Sequence, residues 1–135
     1  MGQQQLLLII LGVIIVGIAI AVGLSLFAAN SVQSNKDAII NDINNIAANA
    51  YQFYIRPTSM AGGGSSYTGG TGYKIPARMS SNDNATYELT PAPTATTVTI
   101  LGKSILYKST SSTVTAVVNQ LGVVNGWAFT GDFVQ

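Results

Sequence analysis

The N-terminal segment of the chain contains an unbroken apolar run from Leu6 to Leu24, and no ionisable side chain precedes Lys36. At about 1.5 Å per residue, a helix of this length spans the roughly 30 Å hydrocarbon core of a bilayer. A backbone in lipid must satisfy its own hydrogen bonds, which favours a helix. The run therefore predicts a helix that lies in a membrane or packs against copies of itself. Its large apolar side chains are Leu6, Leu7, Leu8, Ile9, Ile10, Leu11, Val13, Ile14, Ile15, Val16, Ile18, Ile20, Val22 and Leu24.

Two other interpretations of this segment are a secretory signal peptide and a simple membrane anchor. A signal peptide fits poorly, because the chain begins Met-Gly-Gln-Gln-Gln without a basic residue and the apolar run is long for such a peptide. Ala28-Ala29-Asn30 would be its weak cleavage site. A single-pass anchor is physically adequate, although a flank without Lys or Arg gives no orientation.

The helical pattern continues beyond the apolar run as one amphipathic stripe. Apolar residues recur mostly every three or four positions, which predicts one face of a helix. Pro57 ends the pattern, so we expect a single helix from about Gly2 to Tyr54. The opposite face carries Lys36, Asp42 and several asparagines. The residues expected to pack against a sheet are Ile39, Ile43, Ile46, Ala50 and Phe53.

The remainder of the chain is typical of a small antiparallel sheet after a glycine-rich loop at 57–72. Short β-type segments bounded by turn residues follow from Tyr73. We expect a hairpin that turns at Gly102-Lys103, and a last strand that follows a type I′ turn at Asn125-Gly126. The predicted strands are Thr86–Thr90, Thr96–Leu101, Ser104–Ser109, Thr113–Val118 and Gly126–Val134. The fold class is therefore α+β, with the sheet packed on the C-terminal half of the helix.

The composition argues against several classes of function. Only 8% of the residues are charged, the net charge is +1, and there is no Cys and no His. These absences remove disulfides, thiolate chemistry and the commonest general base and metal ligand. The six basic residues are scattered and give no nucleic-acid footprint. We expect no enzyme, no metal, no cofactor and no nucleic-acid binding.

A long N-terminal helix, apolar first and amphipathic second, followed by a small antiparallel sheet, resembles the type IV pilins and pilin-like subunits. The resemblance implies that residues 1–30 lie in the inner membrane before assembly and form the filament core afterwards. It implies that residues 31–135 form the outer globular domain. The implied partners are other copies of the chain, the inner membrane and the pilus assembly machinery.

The first residues leave alternatives open within this resemblance. Three alternatives are open: a cut after Gly2, a chain that is already mature from Met1, and no cut at all. Where the family commonly has a glutamate, five residues into the mature chain, this sequence has Gln5 or, after a cut, Leu7. Gln3, Gln4 and Gln5 either hydrogen-bond between helices in a bundle or cap a membrane helix at the interface.

These observations together predict a structural subunit that polymerises into an extracellular, cell-surface filament through its apolar helix. The alternative is a membrane-anchored adhesion or binding domain that does not polymerise. Asn84-Ala85-Thr86 is a glycosylation sequon and marks Asn84 as a candidate modification site.

Overall fold

A computed structural model describes residues 2–107 and 111–134 of the chain. One α-helix, α1, extends from Gly2 to Ile55. It ends before Pro57, as expected from the steric restriction on residues that precede proline. The chain forms two compact units, Met1–Gln33 and Ser34–Gln135, and the boundary between them lies within α1. We call the second of these the globular unit.

The globular unit contains one four-stranded antiparallel sheet in the order β1-β2-β3-β4. The strands are β1 (Ala85–Leu89), β2 (Val98–Ser104), β3 (Thr113–Val118) and β4 (Val124–Phe129). Each strand pairs with the next one in the chain, so the sheet is a meander. Short 3₁₀ turns lie at Thr58–Met60, Ala77–Met79 and Gly131–Phe133. The predicted α+β class is confirmed.

The core of the globular unit lies between one face of α1 and one face of the sheet. Alternate residues of β2 and β3 are buried, which is the period expected of a sheet with one covered face. They include Ile100, Val114 and Val118, none of which is exposed to solvent. On the helix, Ile39 and Ile43 are fully buried. The helix and the sheet therefore remove each other's apolar faces from water.

The predicted hairpin at Gly102-Lys103 is wrong, because β2 continues through both residues to Ser104. Gly102 lies opposite Ile39, and a Cβ atom built on it would be 2.8 Å from Ile39 Cγ2. The glycine therefore permits a close approach of helix and sheet rather than a turn. The partner of β2 is β3, and the predicted strand Ser104–Ser109 does not form: only Ser104 belongs to β2, while residues 108 and 109 lie outside the described residues.

The predicted turn at Asn125-Gly126 is also wrong, because both residues lie inside β4. Gly126 has φ +62°, and the register shifts there so that Gly126 and Trp127 oppose the single residue Ala116. The left-handed glycine thus forms a β-bulge. The turn between β3 and β4 is formed instead around Asn119, whose Oδ1 accepts hydrogen bonds from the amides of Leu121 and Val123.

The segment between α1 and β1 has no strand of its own, although the sheet was predicted to begin at 73. The glycine-rich part of this segment forms backbone hydrogen bonds with the last residues of α1. The amides of Gly63 and Ser65 donate to the carbonyls of Phe53 and Tyr54 at 2.7 and 2.8 Å. These bonds satisfy carbonyls that every helix C-terminus leaves without a partner.

Candidate functional site

The apolar segment of α1 exposes a continuous large hydrophobic surface. Each of its fourteen large aliphatic side chains is between 52% and 68% exposed to solvent. None of the residues in its most apolar 18-residue stretch is buried, and the helix is long and apolar enough to cross a membrane. Soluble monomers rarely expose apolar patches beyond a few hundred Å². This surface is therefore the strongest candidate site in the described part of the chain.

The structure places all fourteen predicted residues of this surface on one helical rod, and they surround its axis. They are Leu6, Leu7, Leu8, Ile9, Ile10, Leu11, Val13, Ile14, Ile15, Val16, Ile18, Ile20, Val22 and Leu24. Leu26 and Phe27 extend the surface by nearly one further turn, with exposures of 61% and 74%. The sequence shows this extension, because both residues are apolar and precede the first ionisable side chain.

The apolar rod also contains glycines, and a run of polar residues precedes its apolar side chains. Gln3, Gln4 and Gln5 lie exposed in the first turns of α1, where the helix offers unsatisfied amide groups. A Cβ atom added to Gly12 or Gly17 would have no atom within 4 Å. Neither glycine is therefore required for contacts within the chain, and each leaves a place where another helix or a lipid chain can approach the backbone closely.

The residues predicted to pack against the sheet differ in their burial. Ile39, Ile43, Ile46 and Ala50 are at most 1% exposed, while Phe53 is partly exposed. The Phe53 ring lies 5.7 Å from that of Tyr73.

The structure also buries a polar group that the helical pattern does not reveal. Asn35 is 4% exposed and belongs to the core. Its Oδ1 accepts a hydrogen bond from Ser104 Oγ at 2.8 Å, and its Nδ2 donates to the Asn84 carbonyl at 3.4 Å. In the sequence, the burial of Asn35 is indicated only by its position on the apolar stripe, four residues before Ile39.

The predicted solvent face of the helix is only partly exposed. Lys36 Nζ donates to the Phe133 carbonyl at 3.1 Å and lies 4.2 Å above the centre of the Phe129 ring. Asp42 Oδ2 accepts a hydrogen bond from Tyr87 Oη at 2.6 Å. Burial, followed by the hydrogen bond to Asp42, raises the pKa of Tyr87. These contacts fasten polar residues of α1 to β1 and to the C-terminal segment.

An aromatic cluster lies where α1 ends. The rings of Tyr54 and Tyr67 are 4.8 Å apart, and Tyr51 stacks on Tyr54 at 6.4 Å. Tyr67 is fully buried and donates to the Asn119 carbonyl at 2.8 Å. Burial, and then the neighbouring Tyr54 and Tyr51, raises the pKa of Tyr67 to about 12. The cluster packs the loop and the β3–β4 turn against the helix.

Potential metal-ligating side chains do not form a cluster in the described part of the chain. No group of three or more acidic, His or Cys side chains is placed to hold a metal within residues 2–107 and 111–134. A cavity of about 400 Å³ has hydroxyl and aliphatic groups in its wall, together with Lys103. Lys103 forms an ion pair with Glu88 on the neighbouring strand. The lining described for this cavity contains no acidic residue that would serve as a general base.

Asn84, the candidate glycosylation residue, lies in the turn before β1. It is partly exposed, and its backbone amide donates to Asn82 Oδ1 at 3.0 Å. Its carbonyl accepts from Asn35 Nδ2 and from the Ile105 amide. Modification at this residue stays a prediction.

No protein-family model, curated protein or solved structure matches this chain. The functional conclusion therefore depends on the chain's own residues: an apolar helical rod, and a globular unit with its own core.

Proposed function

We propose that this protein is a pilin-like structural subunit that polymerises into an extracellular filament through the apolar segment of α1. The observation that supports this proposal is the exposure of fourteen large aliphatic side chains around a charge-free helix. The globular unit has a separate core, so these side chains are not needed for its folding. They are available to lipid before assembly and to other copies of the helix afterwards.

The free energy available to such a polymer is large. Complete burial of a Val, Leu or Ile side chain contributes about 1.5–3 kcal/mol, and each of these side chains is more than half exposed. Fourteen of them then contribute about 12–25 kcal/mol per subunit before the entropy of association is subtracted. An interaction of this size holds a filament together without any covalent link.

Electron microscopy of material sheared from cells tests the proposal directly. We expect filaments that bind an antibody raised against the globular unit. Val13→Asp should abolish them, because a charge buried among apolar helices carries a large desolvation cost. The control is Thr71→Asp, which adds the same charge to an exposed loop and should leave the filaments unchanged. Chain that is found only in the membrane fraction contradicts the proposal and favours the non-polymerising anchor.

Gly17→Leu distinguishes the filament proposal from the alternative of a non-polymerising membrane anchor more sharply. The substitution keeps the segment apolar, and nothing within 4 Å of Gly17 in the monomer would obstruct the new side chain. Membrane insertion should therefore persist, while filament yield falls because the added volume blocks close helix packing. Ile18→Leu, which conserves volume, is the matched control. Normal filaments from Gly17→Leu would contradict close packing at this position.

A further inference from the structure

The globular unit exposes apolar side chains at the end where its part of α1 begins, which we call the Asn35 end. Leu106 and Val134 are 60% and 64% exposed. Both belong to this end, because the Tyr107 amide bonds to Ser104 Oγ beside Asn35, and the Phe133 carbonyl accepts from Lys36. The Tyr107 and Phe133 rings lie 6.3 Å apart and hold the two segments together.

The opposite end of the same unit, the Tyr51 end, has a second exposed apolar surface. Leu121 and Val123 lie in the β3–β4 turn and are 70% and 52% exposed. This turn is packed on α1, since a Cβ atom on Gly122 would be 2.7 Å from the Tyr51 ring. Ile55, at the end of the helix, is 59% exposed. About twenty helical residues, or roughly 30 Å, separate the two ends.

The two ends also differ in charge. Arg56 and Lys74 line one cavity of about 230 Å³ at the Tyr51 end. None of the five acidic residues, all of which the structure describes, lines it. Asp37, Asp83 and Asp132 belong to the Asn35 end, by their places beside Lys36, Asn84 and Phe133. Lys36 and Lys103 also belong to the Asn35 end. Among the described residues, acids therefore outnumber cations at the Asn35 end, whereas the cavity at the Tyr51 end is lined by two cations and by no acid. The two ends are complementary in charge.

We propose that the Tyr51 end of one globular unit docks onto the Asn35 end of a second copy. The apolar side chains of the two ends then cover each other, while Arg56 and Lys74 approach acidic side chains of the neighbour. A contact between two different surfaces of identical subunits does not close on itself as a two-fold dimer, and it propagates into a ring or a helical filament. This inference rests on the proposed filament and names the contact between its globular units.

Cysteine cross-linking in the full chain tests the contact without background, because the native chain contains no cysteine. Chains with Leu121→Cys are mixed with chains that carry Val134→Cys, assembled and treated with a mild oxidant. We expect disulfide-linked dimers from the mixture, since a bridge forms when the two Cα atoms lie about 4.4–6.8 Å apart. Each variant assembled alone should remain monomeric on a denaturing gel. A chain that carries both substitutions should give a ladder of higher multiples.

The control mixture replaces Val134→Cys by Asn44→Cys and should give no dimers. Asn44 is exposed and lies near the middle of the part of α1 that belongs to the globular unit. Filaments are scored by microscopy in the same samples. Absence of filaments from the unmodified chain contradicts the proposed function. Normal filaments without mixture-specific dimers overturn the end-to-end contact alone. Dimers from either single variant also overturn it, because they indicate a two-fold contact.

Charge reversal gives an independent measurement. Arg56→Glu should raise the concentration needed for assembly about threefold to tenfold, in line with the modest strength of exposed ion pairs. Adding Asp83→Lys to the same chain should recover part of the loss. Glu88→Lys reverses a charge near the middle of the sheet, where Lys103 is its partner, and should leave assembly unchanged. Equal assembly of Arg56→Glu and the unmodified chain would refute the electrostatic part of the proposal.

Discussion

Gly102→Ala tests the close approach between α1 and the sheet. The new Cβ would lie 2.8 Å from Ile39 Cγ2 and 3.1 Å from Tyr87 Cε1, whereas ordinary contacts begin at 3.4 Å. The overlap with Ile39 is therefore about 0.6 Å. Ile39 is fully buried, and protein cores are close-packed, so we expect the strand to shift away from the helix.

The expected change in the free energy of unfolding is the sum of two opposing effects. Overpacking of a well-packed core costs about 1–3 kcal/mol. Alanine recovers about 0.5–1 kcal/mol relative to glycine inside a strand, because it loses less backbone entropy. The difference between the centres of these two ranges is an expected loss of about 1.3 kcal/mol in the free energy of unfolding. At a urea slope of about 2 kcal/mol/M, the midpoint should fall by about 0.5–1 M.

The assay is a urea titration of the full chain in detergent, followed by the fluorescence of Trp127. This is the chain's single tryptophan and lies in β4. Gly17→Ala is the control, because its Cβ meets nothing within 4 Å and should not lower the midpoint. An unchanged or higher midpoint for Gly102→Ala would refute the reasoning.

A double-mutant cycle identifies the cause. Ile39→Leu removes the branching methyl, Cγ2, that the new Cβ would contact. The cost of Gly102→Ala should therefore be smaller in the Ile39→Leu chain than in the unmodified chain. If the two costs are equal, contact with that methyl group is not the reason for the destabilisation.

Three further substitutions probe the polar contacts of the globular unit by the same titration. Asn35→Ala should cost about 1–3 kcal/mol, because Ser104 Oγ loses its buried acceptor. Asp42→Asn should cost about 1–2 kcal/mol, since the hydrogen bond from Tyr87 loses its charged acceptor. Tyr67 has a pKa raised by burial from 10.0 to about 12. Its contribution to stability is complete below pH 10 and is lost as the pH rises towards 12, so Tyr67→Phe should show a shallower decline of the midpoint in that range.

The helix was predictable almost to the residue because its signals are local. The apolar run predicts the first part of the helix, and the recurrence of apolar residues every three or four positions predicts the second part. Pro57 predicts where the helix ends. The strand Thr113–Val118 was predicted with the observed bounds, since its β-branched residues alternate between the two faces. The burial of Ile39 and Ile43 follows the same helical stripe.

The two turn predictions failed for a shared physical reason. Glycine permits a turn, a bulge or a close approach of two elements, and the sequence does not distinguish among them. Gly102 accommodates Ile39 on another element, and Gly126 forms a bulge opposite Ala116. At both glycines, tertiary contacts decide which of these local structures forms. The burial of Asn35 was missed for the same reason, because its partners Ser104 and Asn84 are 69 and 49 residues away.

The bounds of the candidate surface could be read from the sequence, since hydropathy and charge define them without tertiary information. The two apolar ends of the globular unit could not be predicted from the sequence. Leu106 and Val134 are 28 residues apart in the chain, and they share one end only because the Tyr107 and Phe133 rings meet.

The two outer strands of the sheet have a consequence for aggregation. An open strand edge is a template for uncontrolled pairing between chains, and the danger grows where identical chains are crowded. On the outer side of β1, Ser80 to Asn82 form backbone hydrogen bonds with Ala85 and Tyr87. On β4, the bulge at Gly126 interrupts the regular edge. Both features are expected to limit strand pairing between chains at the sheet edges. They lie in a different part of the chain from the apolar helix through which we propose that the filament assembles, so a substitution that promotes disordered aggregation need not impair the proposed ordered assembly.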